Sequence, residues 1–168
     1  SEAPTLLIDM DPQGNATTGV GIRPGTYKNS IYDLIIKKKD ISKTILKTEL
    51  NYLDVIPASG KLVGAEVELV NQYAREKFLK EGIENVLGKY KYIIIDSPPS
   101  LGLLTLNVLT ACDSIIIPIQ CEYYALEGLS QLLNTIRLVQ KHLNPNLEIE
   151  GILITMYDNR LKLSRQVV

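Results

Sequence analysis

The feature that most limits how this chain can fold is a set of apolar runs that do not alternate. Leu6-Leu7-Ile8, Tyr92-Ile93-Ile94-Ile95 and Ser114-Ile115-Ile116-Ile117 are apolar almost throughout. A strand with one wet face alternates apolar and polar residues, whereas a continuous run is expected of a parallel strand covered by helices on both faces. Tyr52–Ile56 and Ile149–Thr155 are two further candidate strands. Between them, Ser30–Lys39 reads as a short amphipathic helix and Ala65–Leu87 as a long one. Leu101–Ala111 and Leu126–Leu143 complete the set, the last with Leu129, Leu132, Leu133, Ile136 and Val139 at helical spacing on one face. The alternation of strand and helix predicts an α/β fold, doubly wound, with a mostly parallel sheet.

At 168 residues, without repeats, low-complexity segments or a Pro/Gly/Ser-rich linker, a single domain over residues 1–168 is expected. The first strand begins almost at residue 1, and Lys162–Val168 reads as the start of a helix. Parallel sheets normally have further units on either side, so additional sequence is expected at both ends.

Composition excludes several classes. No apolar run approaches the roughly 20 residues of a membrane helix, and no basic-then-apolar leader is present, so a cytoplasmic setting is expected. Net charge is −1 and the pI about 5.9, which is not the basic footprint of a dedicated nucleic-acid-binding domain. Lys37-Lys38-Lys39 reads as a solvated helix end that suits the dipole. Cys112 and Cys121 form no C-x-x-C pair and read as structural thiols. His142, the only histidine, lies at a polar helix end, which gives little support to a Ser-His-Asp relay or a histidine metal site. A dinucleotide-binding domain is disfavoured as well, because no G-x-G-x-x-G follows a strand.

The chemistry sits in two aspartate-terminated strands. One reads Leu6-Leu7-Ile8-Asp9-Met10-Asp11 and the other Ile93-Ile94-Ile95-Asp96-Ser97-Pro98-Pro99. Ligands of open α/β sheets bind outside the carboxyl ends of the strands. Carboxylates there can hold the water shell of Mg²⁺, which otherwise leans on substrate phosphates. Either aspartate alone is as readily a cap for the next helix. Two of them, flanked by Pro12-Gln13-Gly14-Asn15-Ala16-Thr17-Thr18-Gly19 and by the rigid Ser97-Pro98-Pro99-Ser100, shift the balance towards a phosphoryl-transfer site.

Those segments resemble the ParA/Soj partition ATPases, members of the MinD/ParA group with a deviant Walker-A loop. Asp9–Gly19 is similar to the signature after their second strand, and Tyr92–Ser100 to their Walker-B segment. Pro57-Ala58-Ser59 with Leu62–Leu69, Gln120–Gly128 and Gly151–Asp158 match further stretches in the family's order. The resemblance implies a P-loop NTPase-like fold, ATP and Mg²⁺ as cofactors, and a role in chromosome or plasmid partitioning. It further implies an ATP-dependent homodimer that binds DNA non-specifically on the nucleoid, with hydrolysis stimulated by a ParB/Spo0J-type centromere-binding protein. By the same resemblance Asp11 positions or activates the attacking water. Asp9 and Asp96 hold the Mg²⁺ hydration shell, and Asn15 lies by the dimer interface around ATP. Arg160 matches a basic position used for DNA, which Lys162 and Arg165 extend; a solvated surface arginine is the alternative.

The chain departs from the family in one respect. It contains no G-x-x-x-x-G-K-[ST] match and no Gly-rich turn carrying a lysine into a helix. The backbone cradle and phosphate-neutralising lysine are therefore missing from these residues, and useful ATP affinity or turnover is not expected of them alone. Two alternatives stand beside the partition ATPase. One is a non-catalytic relative acting as a binding module, against which the intact Asp11 speaks. The other is a MinD-like membrane-positioning ATPase, against which Asp-Pro-Gln-Gly-Asn speaks.

Overall fold

The structure, a computed structural model, describes residues 2–120 and 125–156. These residues form two compact units, divided after Ala111.

The first unit is built on a four-stranded sheet. Its strands are β1 (Thr5–Asp9), β2 (Leu46–Lys47), β3 (Leu53–Ile56) and β4 (Tyr92–Asp96), in the order β2-β3-β1-β4. β1 pairs in parallel with both β3 and β4, and the short β2 closes the β3 edge antiparallel. Eight helical segments accompany it: α1 (Asn15–Gly19), α2 (Ile31–Ile35), α3 (Leu62–Val70), α4 (Phe78–Ile83) and α5 (Leu103–Ala111), with 3₁₀ turns at Ile41–Lys43, Arg75–Lys77 and Glu84–Val86. Leu6 and Ile8 of β1 are fully buried and share one core with Ile56, with Ile31 and Ile35 of α2, and with Leu62, Leu69 and Leu79. Leu104 and Val108 bring α5 onto the same core. Ile93 and Ile95 of β4 pack against it, whereas Tyr92 and Ile94, alternate residues of that strand, are more than half exposed. The continuous apolar run of β4 thus has one covered face among the described residues, because α2 to α5 all contribute to a single core.

The second unit is a strand–helix–strand crossover. β5 (Ser114–Gln120) and β6 (Glu148–Thr155) pair in parallel across α6 (Ala125–His142). The register slips between Ile115 and Ile116, so that Ile115 faces Ile149 and Ile116 faces Gly151. Ile117, Ile119, Ile136, Val139 and Leu147 are its buried apolar residues, and Asn144 donates to the Cys112 carbonyl at 2.8 Å. Burial pushes the Cys112 thiol up to about 11, so it is unreactive at neutral pH, as a structural thiol should be. Cys121 lies outside the described residues.

All five predicted strands are present, four of them within a residue of their expected bounds and β5 three residues longer, and the fold is α/β with mostly parallel pairing, as expected. The long helix predicted over Ala65–Leu87 is broken. α3 ends at Val70, Ala74 takes a left-handed conformation (φ 51°), and the chain resumes through a 3₁₀ turn at Arg75–Lys77, α4 and a second 3₁₀ turn at Glu84–Val86. The cause lies on α5. Asn107, fully buried, donates through Nδ2 to the Arg75 carbonyl at 2.9 Å and accepts the Leu79 N–H through Oδ1 at 3.1 Å. One amide thus satisfies backbone groups that the break would leave without partners. The lysine run is also less free than predicted: Lys37 Nζ lies 3.1 Å and Lys39 Nζ 3.9 Å from the Asp33 carboxylate, which also caps α2 through Ser30.

The break makes a prediction of opposite sign to that of an unbroken helix. An L-residue at left-handed dihedrals costs about 1–2 kcal/mol, partly offset by the entropy glycine loses on folding. Ala74→Gly should therefore leave the unfolding free energy unchanged or raise it by up to about 1 kcal/mol in a denaturant titration. In a continuous helix the same change would lower it by about 1 kcal/mol.

Candidate functional site

Parallel pairing of β1 with β4 sets Asp9 directly opposite Asp96, at the carboxyl ends of adjacent strands. The two strand-end aspartates found in the sequence are therefore neighbours in space. Met10 N–H donates to the Asp96 carbonyl at 2.8 Å and extends the ladder one residue past the sheet.

Asp9 has no exposed surface. Its Oδ2 accepts the Thr17 N–H at 2.7 Å and the Thr17 hydroxyl at 2.6 Å, while Oδ1 accepts the Asp11 N–H at 3.1 Å. Three of the four lone-pair positions of a carboxylate are thus taken by the chain that follows it. The outcome is a folded-back loop in which Asp11, two residues on, lies half-buried beside Asp9. Asp11 accepts the Gln13 N–H through Oδ1 at 2.9 Å and the Gly14 N–H through its carbonyl at 3.0 Å, forming a tight turn. Gly14 completes that turn at φ 66°, a conformation side chains resist. α1 then begins with Asn15, which is exposed.

Thr17 also reaches across the chain. Its hydroxyl oxygen accepts the Ala58 N–H at 3.0 Å, while the Ala58 carbonyl accepts the Tyr27 hydroxyl at 2.7 Å. Ile31 N–H donates to the Pro57 carbonyl at 2.9 Å. The Pro57-Ala58-Ser59 turn, which leads into α3, is thereby fixed to the loop after β1. Burial, with a smaller contribution from Asp9, raises the Tyr27 hydroxyl above its ordinary range and keeps it a donor.

Asp96 differs in electrostatic condition from Asp9. It is half-buried, and its carboxyl is held above the usual range first by burial and then by the charges of Asp9 and Asp11. A set of acidic groups with like-charge repulsion is the donor chemistry of a hydrated divalent cation. Among the described residues no three His, Cys, Asp or Glu side chains converge closely enough to hold a bare metal ion. A depression lies at the other, amino end of the strands, beside Tyr52, Asp54 and Tyr90. Its buried Asp54 is already paired with Lys47 at 2.8 Å and Tyr90 at 2.7 Å, so it presents no reactive group.

The structure thus brings together Asp9, Asp11 and Asp96 and places Asn15 at the head of α1 in the same loop. Arg160, Lys162 and Arg165 lie outside the described residues. Sequence reading assigned no role to Thr17, Tyr27 or Ala58. Thr17 and Ala58 stood in segments singled out for their pattern, but the bond between them spans 41 residues and leaves no local signal.

Comparison with known proteins follows the same lines. Residues 2–149 match a family model described as an AAA domain. The sporulation initiation inhibitor protein Soj of Bacillus subtilis is 58% identical over 163 residues, covering 97% of this chain and 64% of that protein. The chromosome partitioning protein ParA of Myxococcus xanthus is 55% identical over the whole chain and 59% of its own length. Among solved structures, a cobyrinic acid a,c-diamide synthase from Mycobacterium smegmatis with bound ATP analog and magnesium superimposes with a TM-score of 0.91 at 39% identity. The match covers 98% of this chain and 67% of that one. A plasmid partition protein from Borrelia burgdorferi gives a TM-score of 0.83 at 29% identity, covering 98% and 70%. The chain therefore spans about three-fifths of the length of the two curated relatives.

Replacing Thr17 by valine removes one donor from Asp9 and the acceptor of the Ala58 N–H. A buried donor left unpaired costs about 1–3 kcal/mol, so Thr17→Val should lower the unfolding free energy by that amount while Thr17→Ser restores most of it. Equal stability of the valine variant and the parent would contradict the relay.

Proposed function

Because the chain belongs to the ParA/Soj-type family of AAA-domain partition ATPases, we propose that the full-length protein is an ATP-driven switch in chromosome or plasmid partitioning. The observation that carries this is the pairing of Asp9 with Asp96 across β1 and β4, with Asp11 folded back beside them. The name of one relative supports the biological role: the chromosome partitioning protein ParA of Myxococcus xanthus is 55% identical to this chain, against 39% for the diamide synthase and 29% for the plasmid partition protein.

In this proposal Asp96, with Asp9 behind it, holds the water shell of Mg²⁺. Bound there, the ion would offset charge developing on the phosphates during in-line attack by water. Asp9 contributes less as a ligand than as an anchor. Its burial and three bonds hold the Asp11–Gly19 loop in one shape, so that Asp11 is presented at a fixed place to orient or activate the attacking water. Fixed placement matters because a general base acts only within hydrogen-bond reach of the proton it takes. Gly-rich backbone and lysine groups to cradle the phosphates are not among these 168 residues, so the proposal concerns the full-length protein.

ATP would close a homodimer, with Asn15 near the nucleotide at its interface. The dimer would bind DNA non-specifically through Arg160, Lys162 and Arg165. A ParB/Spo0J-type centromere-binding protein would stimulate hydrolysis and release it. A cytoplasmic, nucleoid-associated location follows from that cycle, as does a single nucleotide-binding domain that includes residues 1–168.

The test is Asp11→Ala in the full-length protein. Turnover of ATP should fall by about 10²–10⁴, the usual worth of a positioned general base, with nucleotide affinity changed only a few-fold. Retained turnover would remove Asp11 from the mechanism, and absence of ATP binding in the parent protein would remove the ATPase reading.

A further inference from the structure

Glu66 lies on α3, and its Oε1 is closed off from solvent without a hydrogen-bond partner. It is the only buried side-chain oxygen or nitrogen among the described residues in that condition. A buried acceptor without a donor is costly, the more so on a carboxylate. The group is pressed against Gly102: a Cβ there would overlap Oε1 and lie 2.8 Å from Cδ. The Gly102 carbonyl accepts the Leu106 N–H at 3.0 Å, which makes Gly102 the residue that caps α5. A glycine cap supplies no side-chain acceptor to the first-turn N–H groups of Leu103, Leu104 and Thr105. Glu66 therefore brings a carboxylate, from another helix, to the place a capping side chain would fill. Negative charge is favoured there.

We propose that Glu66 is a positioning residue for the turn that follows Asp96. When the Ser97–Leu101 segment is drawn in, the Glu66 carboxylate takes the first-turn amides of α5 and fixes that segment. α3 is a suitable reference for this. The turn that leads into it is clamped to Thr17 and Tyr27, and through Thr17 to Asp9. Glu66 thus links the two loops that carry the strand-end aspartates. A side chain at 102 would displace the Glu66 carboxylate from this place. The inference rests on the proposed function only in taking magnesium nucleotide as what draws the turn in.

Hydrogen exchange of the full-length protein, with and without Mg²⁺ and a non-hydrolysable ATP analogue, tests it. The amides of Leu103–Thr105 should gain about tenfold protection on loading. Glu66→Ala and Gly102→Ala should each abolish the gain, and Glu66→Gln, which keeps an acceptor, should retain most of it. Adding Gly102→Ala to Glu66→Ala should change nothing further, because the space is already empty. A gain that survives Glu66→Ala, or losses that add in the double variant, would overturn the proposal. If a separate fluorescent-nucleotide titration shows no binding, the ATPase reading falls instead. The proposal is then decided by thermal melting, without nucleotide, of the parent, the two alanine variants and the double variant: Gly102→Ala must be more destabilising where Glu66 is present than where it is alanine, and strictly additive effects would overturn it.

Discussion

The Asp9 carboxylate accepts three hydrogen bonds from the loop that follows it, and the arrangement of the site depends on them. Removing a carboxylate from water costs several kcal/mol. Three charge-assisted bonds of about 1.5–3 kcal/mol each are large enough to offset that cost, and they do so only in one loop geometry. The loop doubles back, Gly14 takes its left-handed turn, and Thr17 comes to lie between Asp9 and Ala58. From there order passes to the Pro57–Ser59 turn and so to α3. A buried charge here specifies shape rather than merely stabilising it.

The same charge has an electrostatic consequence at β4. Burial is the larger cause of the raised Asp96 carboxyl; Asp9 is committed to the chain, yet its charge adds to that effect across the sheet, as does that of Asp11. Because the carboxyl of Asp96 is raised on folding, the native protein binds its proton more tightly than the unfolded chain does. The contribution of Asp96 to stability is therefore full at pH values below the ordinary aspartate range and is lost as pH rises through its own, higher value. At neutral pH the site carries an unrelieved repulsion, which a divalent cation would relieve. That is an economical account of why acidic groups gather where the sequence pattern suggested magnesium.

Much of this was legible in the sequence. Non-alternating runs marked the strands, although alternate residues of β4 and β5 are exposed among the described residues, and aspartates at strand ends marked the candidate site because strand ends are where such sheets bind. What escaped was set by contacts distant in sequence. Nothing in Asn71-Gln72-Tyr73-Ala74 forbids a helix. The break is sustained by Asn107, an amide more than thirty residues away. Asp9 read as a metal-shell ligand from its position, yet the structure uses most of its oxygen capacity to hold the loop. Thr17 offered only its place in a signature, and Glu66 and Gly102 offered no pairing signal at all. The basic positions Arg160, Lys162 and Arg165 lie outside the described residues.

The central claim, that folding gathers uncompensated negative charge around Asp96 to hold a hydrated divalent cation, is tested most directly by a carboxyl-carbon NMR titration of the full-length protein, with and without magnesium nucleotide. The account predicts that Asp96 titrates above the ordinary aspartate value of about 3.9 when metal-free and falls once magnesium nucleotide is bound. An Asp96 that titrates ordinarily, or that ignores the magnesium nucleotide, would contradict it.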